Sequence, residues 1–192
     1  MDELALAFAV VDAPWGPVHV AAGPGGLVAV EHLATTERFV ARLGRQFGAT
    51  VRPAGPGADP AASLLAETAA DQLSAYLAGR RRVFDLPVHL AGRSAWDRAV
   101  LAGVTAVPWG AVTSYGRVAR RIGHHGAARA VGGAVGRNPI GIVIPCHRVV
   151  ASDGSLGGYG GDWLGSREIL LEIKRELLRL ESVTLPVSEL FD

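Results

Sequence analysis

The chain has 192 residues, 49% of them hydrophobic, a single cysteine and a formal net charge of +1. That is apolar material for one generous core or two small ones, not the makeup of a disordered chain, while the longest apolar runs, 4–11 and 141–145, fall short of the roughly 20 residues a membrane helix needs. One cysteine excludes an intramolecular disulfide and a cysteine-rich zinc site. The opening Asp2-Glu3 does not read as a secretory signal, so a cytoplasmic protein without metal or cofactor is expected.

Residues 4–11, 18–22 and 27–33 are apolar runs separated by Pro14-Trp15-Gly16-Pro17 and Gly23-Pro24-Gly25-Gly26, which predicts a three-stranded meander. Thr36 can cap a helix carrying Phe39, Val40 and Leu43, after which residues 53–60 form a Pro, Gly and Ala loop. A second helix begins near Asp59 or Ser63. Leu64, Leu65, Ala69, Leu73, Tyr76 and Leu77 recur along it at helical spacing until Gly79 ends it. Residues 80–90 look like a basic edge strand running into a linker, and the domain boundary falls there, dividing the chain into 1–91 and 92–192.

Ser94 caps a third helix through Val104, and Thr113 or Ser114 caps a short one with Val118, Ala119 and Ile122 on one face. After a turn over 123–126 comes a further short helix, with Ala127, Ala130, Val131, Ala134 and Val135 as its apolar stripe. Two short helices joined by a glycine-containing turn suggest a helix-turn-helix. Gly132 and Gly133 inside the second each cost about 1 kcal/mol relative to Ala, so close approach of a ligand to the backbone is the expected reason for them.

Charge is distributed unevenly. Residues 1–91 sum to −2 and residues 151–192 to −4, whereas 92–150 hold eight arginines against the single acid Asp97, a sum of +7. Such a block is a footprint for a polyanion. Inside it, Asn138-Pro139 stops the helix, and 141–145 lead straight into Cys146-His147-Arg148-Val149-Val150. A free thiol ionises near pH ~8.5, and an imidazole that takes the proton lowers that value. Neighbours in an extended chain point to opposite sides, so His147 would reach the sulfur only through a bend or a water. The other five histidines, 19, 32, 89, 124 and 125, show no repeated ligand spacing.

Ile144-Pro145-Cys146-His147-Arg148-Val149 resembles the active-site signature of the O6-alkylguanine-DNA alkyltransferases. Thr113-Ser114-Tyr115-Gly116 resembles the start of that family's first DNA-binding helix, and residues 128–134 resemble its recognition helix. Asn138-Pro139 and Gly157-Gly158-Tyr159 flank the cysteine in the matching order, so the resemblance spans nearly the whole chain. It implies an α+β protein: an N-terminal ribonuclease-H-like α/β domain, then a mostly helical winged helix-turn-helix domain that binds DNA and accepts the alkyl group. The implied reaction is stoichiometric transfer of an alkyl group from O6-alkylguanine, and O4-alkylthymine, in double-stranded DNA to the cysteine, which consumes the protein. The implied state is a monomer without cofactor, away from membranes.

The resemblance also implies roles. Cys146 is the nucleophile, His147 its base through a water, Asn138 the brace of the active-site turn, and Tyr115 the residue that helps rotate the nucleotide and donates toward the guanine. Arg129 fills the gap left in the duplex. Ser114, Tyr115, Gly132 and Gly133 face DNA, with the glycines giving clearance for sugar and phosphate, and Arg117, Arg120, Arg121 and Arg137 hold phosphates. Val135, Val149, Gly157 and Tyr159 line the substrate pocket. In the family an acid orients the histidine. Here Glu181 fits that place if about eight extra residues around 162–171 form an insertion, a size surface loops tolerate, and Glu172 is the alternative. On this reading the acid steadies an imidazolium, and its loss should raise the Cys146 pKa. Two rivals remain: a damage sensor of the same fold that lacks the cysteine, and a cysteine hydrolase, which would need an oxyanion site and would turn over.

Overall fold

The computed structural model describes residues 4–90, 92–160, 166–185 and 190–191. The class is mixed α+β, with six α-helices, a four-stranded sheet and a two-stranded one among the described residues. The chain divides into two compact units, Met1–Ala91 and Gly92–Asp192.

In the first unit, β1 (Ala5–Ala13), β2 (Gly16–Gly23) and β3 (Gly26–His32) form the antiparallel meander. A fourth strand, β4 (Thr50–Pro53), runs parallel to β1, so the order is β3-β2-β1-β4. Sequence pattern missed β4 because four residues ending in proline show too little alternation to read. Helix α1 (Thr36–Phe47) lays Phe39 and Leu43 on Leu6, Phe8, Ala21, Val28 and Ala29. Its cap is Thr35, one residue before the expected Thr36, whose hydroxyl instead meets His19 Nε2 at 2.9 Å.

Helix α2 (Pro60–Leu77) starts at the Asp59 cap and buries Ala62, Ala66, Ala69, Leu73 and Tyr76. Leu64, expected on that face, is 67% exposed. The small alanine side chains let the helix sit close to the sheet, and a leucine was mistaken for core in their place. Residues 80–90 are not a strand. Only Val88 bridges Leu27, where Leu27 N–H donates to Pro87 O at 2.8 Å and His89 N–H to Leu27 O at 2.7 Å. Pro87 lacks the N–H a ladder needs. Where this segment crosses, a Cβ on Gly26 (φ +132°) would stand 2.8 Å from Pro87 O, so only glycine fits.

In the second unit, α3 (Ala95–Thr105) is capped by Ser94 and α4 (Tyr115–Arg121) by Ser114. Helix α5 (Ala128–Gly136) has no side-chain cap and buries Val131, Ala134 and Val135, while Ala130 of the expected stripe is exposed. The short strand β5 (Thr113–Ser114) pairs in parallel with β6 (Val149–Val150). That pairing fixes the site: β5 feeds Tyr115 at the start of α4, and β6 leaves the 3-10 turn Cys146–Arg148. Helix α6 (Arg167–Leu180), capped by Ser166, packs Leu178 with Val112 and Val150. The insertion read at 162–171 lies in part outside the described residues; from 167 onward it is the first turns of α6.

Candidate active site

The turn that carries Cys146 is built by local hydrogen bonds. Asn138 grips it twice: its Nδ2 donates to Ile144 O at 2.9 Å and its Oδ1 accepts from Ile140 N at 3.0 Å. Ile142 is held at φ +67°, a costly conformation for a β-branched residue, of order 1–3 kcal/mol. Cys146 N–H donates to Ile144 O at 2.8 Å and Arg148 N–H to Pro145 O at 2.9 Å, closing the tight turn. The backbone over Cys146–Arg148 takes 3-10 geometry and not the extended form.

Cys146 is 6% exposed and opens on a cleft of about 280 Å³ lined by Tyr115, Gly132, Val135, Gly136, Gly158, Tyr159 and Gly160. Tyr115, Val135 and Tyr159 are therefore brought together with the cysteine as the sequence motifs suggested, and Gly132 joins them. The point where a Gly132 Cβ would sit is 3.8 Å from the Tyr115 ring, so this glycine clears the cleft itself. Gly133 is exposed. Gly157 stands beside the Tyr115 ring, and Val149 is wholly buried behind the cysteine.

His147 is fully buried and faces Glu181, with Nε2 to Oε1 2.9 Å. Glu181 caps the end of α6. The same carboxylate takes Arg148 Nε at 2.9 Å on Oε2, Arg148 Nη2 at 2.8 Å on Oε1 and Gly110 N–H at 3.2 Å. Burial alone pushes Glu181 up, but His147 and Arg148 outweigh it and hold the carboxyl at about 2. An ionised acceptor opposite Nε2 puts the imidazole proton on Nε2 and leaves Nδ1 as the basic nitrogen. Glu172, the alternative acid, is on the exposed side of α6 and pairs with Arg175.

Burial pushes the Cys146 thiol up. The Asn138 amide, the charge of Lys174 and the backbone N–H groups of Cys146 and His147 pull the other way. Burial also takes His147 below its ordinary value, against Glu181. Burial of both groups thus works against a preformed thiolate–imidazolium pair. Burial likewise raises Tyr115, which keeps its hydroxyl proton. Lys174 is fully buried beside this group and is brought down to about 7 by desolvation.

The arginines divide. Arg120 and Arg129 are exposed, and their side chains make no hydrogen bond or ion pair among the described residues. Arg137 pairs with buried Asp97 at 2.6 and 3.2 Å. Arg117 donates to Leu190 O, and Arg121 donates to Gly103 O at 3.1 Å while its guanidinium lies 4.7 Å from the Phe191 ring. Phe191 N–H in turn donates to Val112 O at 2.6 Å, so the chain end occupies one side of α4. No group of three or more metal-ligating side chains occurs among the described residues, and no helix there is long and apolar enough to cross a membrane.

A single buried cysteine, set in a braced turn and opening on a cleft beside a short helical pair, makes its thiol the candidate reacting group. Residues 95–183 match the family model described as 6-O-methylguanine DNA methyltransferase, DNA binding domain. A methylated-DNA–protein-cysteine methyltransferase of Mycolicibacterium paratuberculosis is 46% identical over 125 residues, covering 65% of this chain and 70% of the relative. That of Mycobacterium leprae is 41% identical over 136 residues, covering 71% and 80%. The crystal structure of Mycobacterium tuberculosis OGT in complex with DNA superposes with a TM-score of 0.71 at 35% identity, covering 94% of this chain and 96% of that one. The chain belongs to the methylated-DNA–protein-cysteine methyltransferases, DNA-binding proteins that repair DNA by alkyl transfer to a cysteine.

Proposed function

We propose that this protein removes the alkyl group from O6-alkylguanine, and O4-alkylthymine, in duplex DNA by transferring it to Cys146 in one irreversible turnover. The observation that carries the reading is the place of Cys146 in a cleft that Tyr115 and Tyr159 also line. A lesion inside the stack cannot reach that cleft, so the nucleotide must flip out, at a cost of a few kcal/mol that is lower for a mispaired base.

Cys146 loses its proton to the Nδ1 side of His147 through a water. The sulfur then attacks the alkyl carbon, the S–C bond forming as the C–O bond breaks, and the electron pair passes to the base. Tyr115, with its hydroxyl still protonated, donates toward that base. The thioether has no leaving group that water can displace, so the protein is spent. Glu181 sets the His147 tautomer, Asn138 holds the turn, and Val135, Val149, Gly157 and Tyr159 shape the pocket.

On the DNA side, α4 and α5 act as the helix-turn-helix of a winged domain spanning 92–192, with 1–91 a ribonuclease-H-like companion. Arg129 fills the vacated stack. Arg120 holds phosphate with it, and Ser114, Tyr115, Gly132 and Gly133 lie along the strand. Arg117, Arg121 and Arg137 have intramolecular partners and contribute less than their charge suggests. The protein acts as a monomer without cofactor. Titrating it against duplex carrying O6-methylguanine tests the reading: one lesion lost per protein is expected. Repeated turnover would make it a hydrolase, and no loss of lesion would make it a sensor.

A further inference from the structure

The chain carries 19 basic residues, and Lys174 is its only lysine. It is also fully buried, an unusual place for a charged side chain, and has no carboxylate partner among the described residues. Its Nζ donates to Val149 O and Leu156 O, both at 2.5 Å, and to Gly158 O at 2.8 Å. Three carbonyls match the three protons of an ammonium. A guanidinium spreads its donors over a planar fork and cannot converge on three acceptors from one nitrogen, which accounts for a lysine where every other cation is arginine.

The three acceptors span the loop that leaves the Cys146–Arg148 turn and returns as the wall of the cleft, since Gly158 lines it. Lys174 thus ties floor and wall to α6. Its charge is also unbalanced locally. Among the described residues, the titratable groups around Cys146 are Tyr115 and His147, whose neutral forms burial favours, and Glu181 and Arg148, which form a buried pair. Lys174 is the positive charge left over.

We propose that Lys174 is a positioning residue for the transfer: its ammonium fixes the 149–158 loop around the sulfur and supplies the positive charge that favours the Cys146 thiolate. The role rests on Cys146 being the acceptor. It places the electrostatic help for ionisation on α6, while His147 only carries the proton away. Neutral lysine would turn a lone pair toward one of the carbonyls, so the cradle and the charge are present together or not at all.

Two measurements without DNA test it. The first is the pH dependence of Cys146 alkylation by iodoacetamide in Lys174→Gln and Lys174→Arg, on protein shown to be folded by its thermal transition. Lys174→Gln should move the midpoint up by about one unit, a tenfold loss of thiolate at lower pH, while Lys174→Arg, which keeps a charge but cannot converge on the three carbonyls, should recover only part of that shift. A merely structural lysine predicts the opposite sign, because a loosened loop exposes Cys146 and burial is what raises its thiol. A midpoint that is unmoved or lowered in Lys174→Gln overturns the proposal.

The second uses the wild type and so does not depend on a variant folding. As the sole lysine, Lys174 gives one signal in protein labelled at lysine Cε, and the pH profile of that signal should carry the ionisation of Cys146 as a step that disappears once Cys146 is S-methylated and no thiolate can form. An unchanged titration overturns the coupling. Failure of the wild type to take methyl from DNA sinks the acceptor reading instead, whereas intact transfer with an unmoved profile sinks this one alone.

Discussion

Arg148 and Glu181 form a two-pronged buried pair, with Nε 2.9 Å from Oε2 and Nη2 2.8 Å from Oε1, and the His147 contact is a third claim on the same carboxylate. The acid beside the histidine is therefore committed to a structural cation first. Removing it strands Arg148, whose side chain is 7% exposed, and breaking a buried pair by deleting one partner costs about 3–5 kcal/mol. Glu181→Gln should lower the thermal transition by a corresponding amount. It should not raise the Cys146 pKa as the sequence alone suggested, because a negative charge leaves the neighbourhood of the thiolate. Glu172→Gln should change stability by under about 0.5 kcal/mol, its pair with Arg175 being exposed. Paired thermal melts of the two variants check this, and equal melting temperatures would be incompatible with it.

The same pair sets an acid limit. Glu181 has its folded-state pKa depressed from 4.5 to about 2, so its contribution is present above the unfolded value and is lost as pH falls from 4.5 toward 2. The loss amounts to roughly 3 kcal/mol at 1.36 kcal/mol per unit. Denaturant midpoints measured between pH 5 and pH 2 should fall steeply in the wild type and less in Glu181→Gln. Parallel pH curves would remove Glu181 from the account of acid stability.

The arginines separate by salt dependence. Arg120 and Arg129 are exposed without intramolecular partners among the described residues, whereas Arg137 grips Asp97, which is only 5% exposed. Each phosphate contact contributes about 0.9 to the slope of log K against log salt. Arg120→Ala should reduce the slope by about one contact and leave the thermal transition alone. Arg137→Ala should do the reverse, because it leaves a carboxylate buried without its cation. Binding isotherms at three salt concentrations, beside melts, distinguish the two. If Arg137→Ala lowers the slope as much as Arg120→Ala, its partnership with Asp97 does not withhold it from DNA.

How much was legible follows from how local each signal is. The cysteine turn, the Ser94 and Ser114 caps, α4, α5 and the meander are written in short contiguous patterns, and their boundaries came within a residue or two. Glu181 was reachable only by allowing an insertion, since 34 residues separate it from His147. What stayed hidden depends on contacts between distant segments. Lys174 lies on a helix otherwise rich in exposed charge, and two signals mark it: it falls at helical spacing among Leu170, Leu177 and Leu178, and no other lysine exists. Arg117 and Arg121 looked like phosphate ligands because Leu190 and Phe191, which occupy them, are about 70 residues away.

The two glycines nearest Tyr115 should respond in opposite ways to the same methyl group. At Gly132, inside α5, the added carbon would lie 3.8 Å from the Tyr115 ring, an ordinary contact, and the backbone is helical. Gly132→Ala should therefore stabilise the protein, by up to about 1 kcal/mol from helix propensity, yet slow repair, because the methyl narrows the cleft that must admit a ring. At Gly157 the backbone has φ +66°, and the carbon would press on the Tyr115 ring at 3.2 Å and its hydroxyl at 3.3 Å. Gly157→Ala should destabilise by about 1 kcal/mol or more from the left-handed strain alone. It should also slow repair by displacing the tyrosine. Thermal melts with single-turnover transfer rates on duplex O6-methylguanine give the comparison. A Gly132→Ala protein that melts higher and transfers at the wild-type rate would show that the flipped base does not pass between α5 and Tyr115.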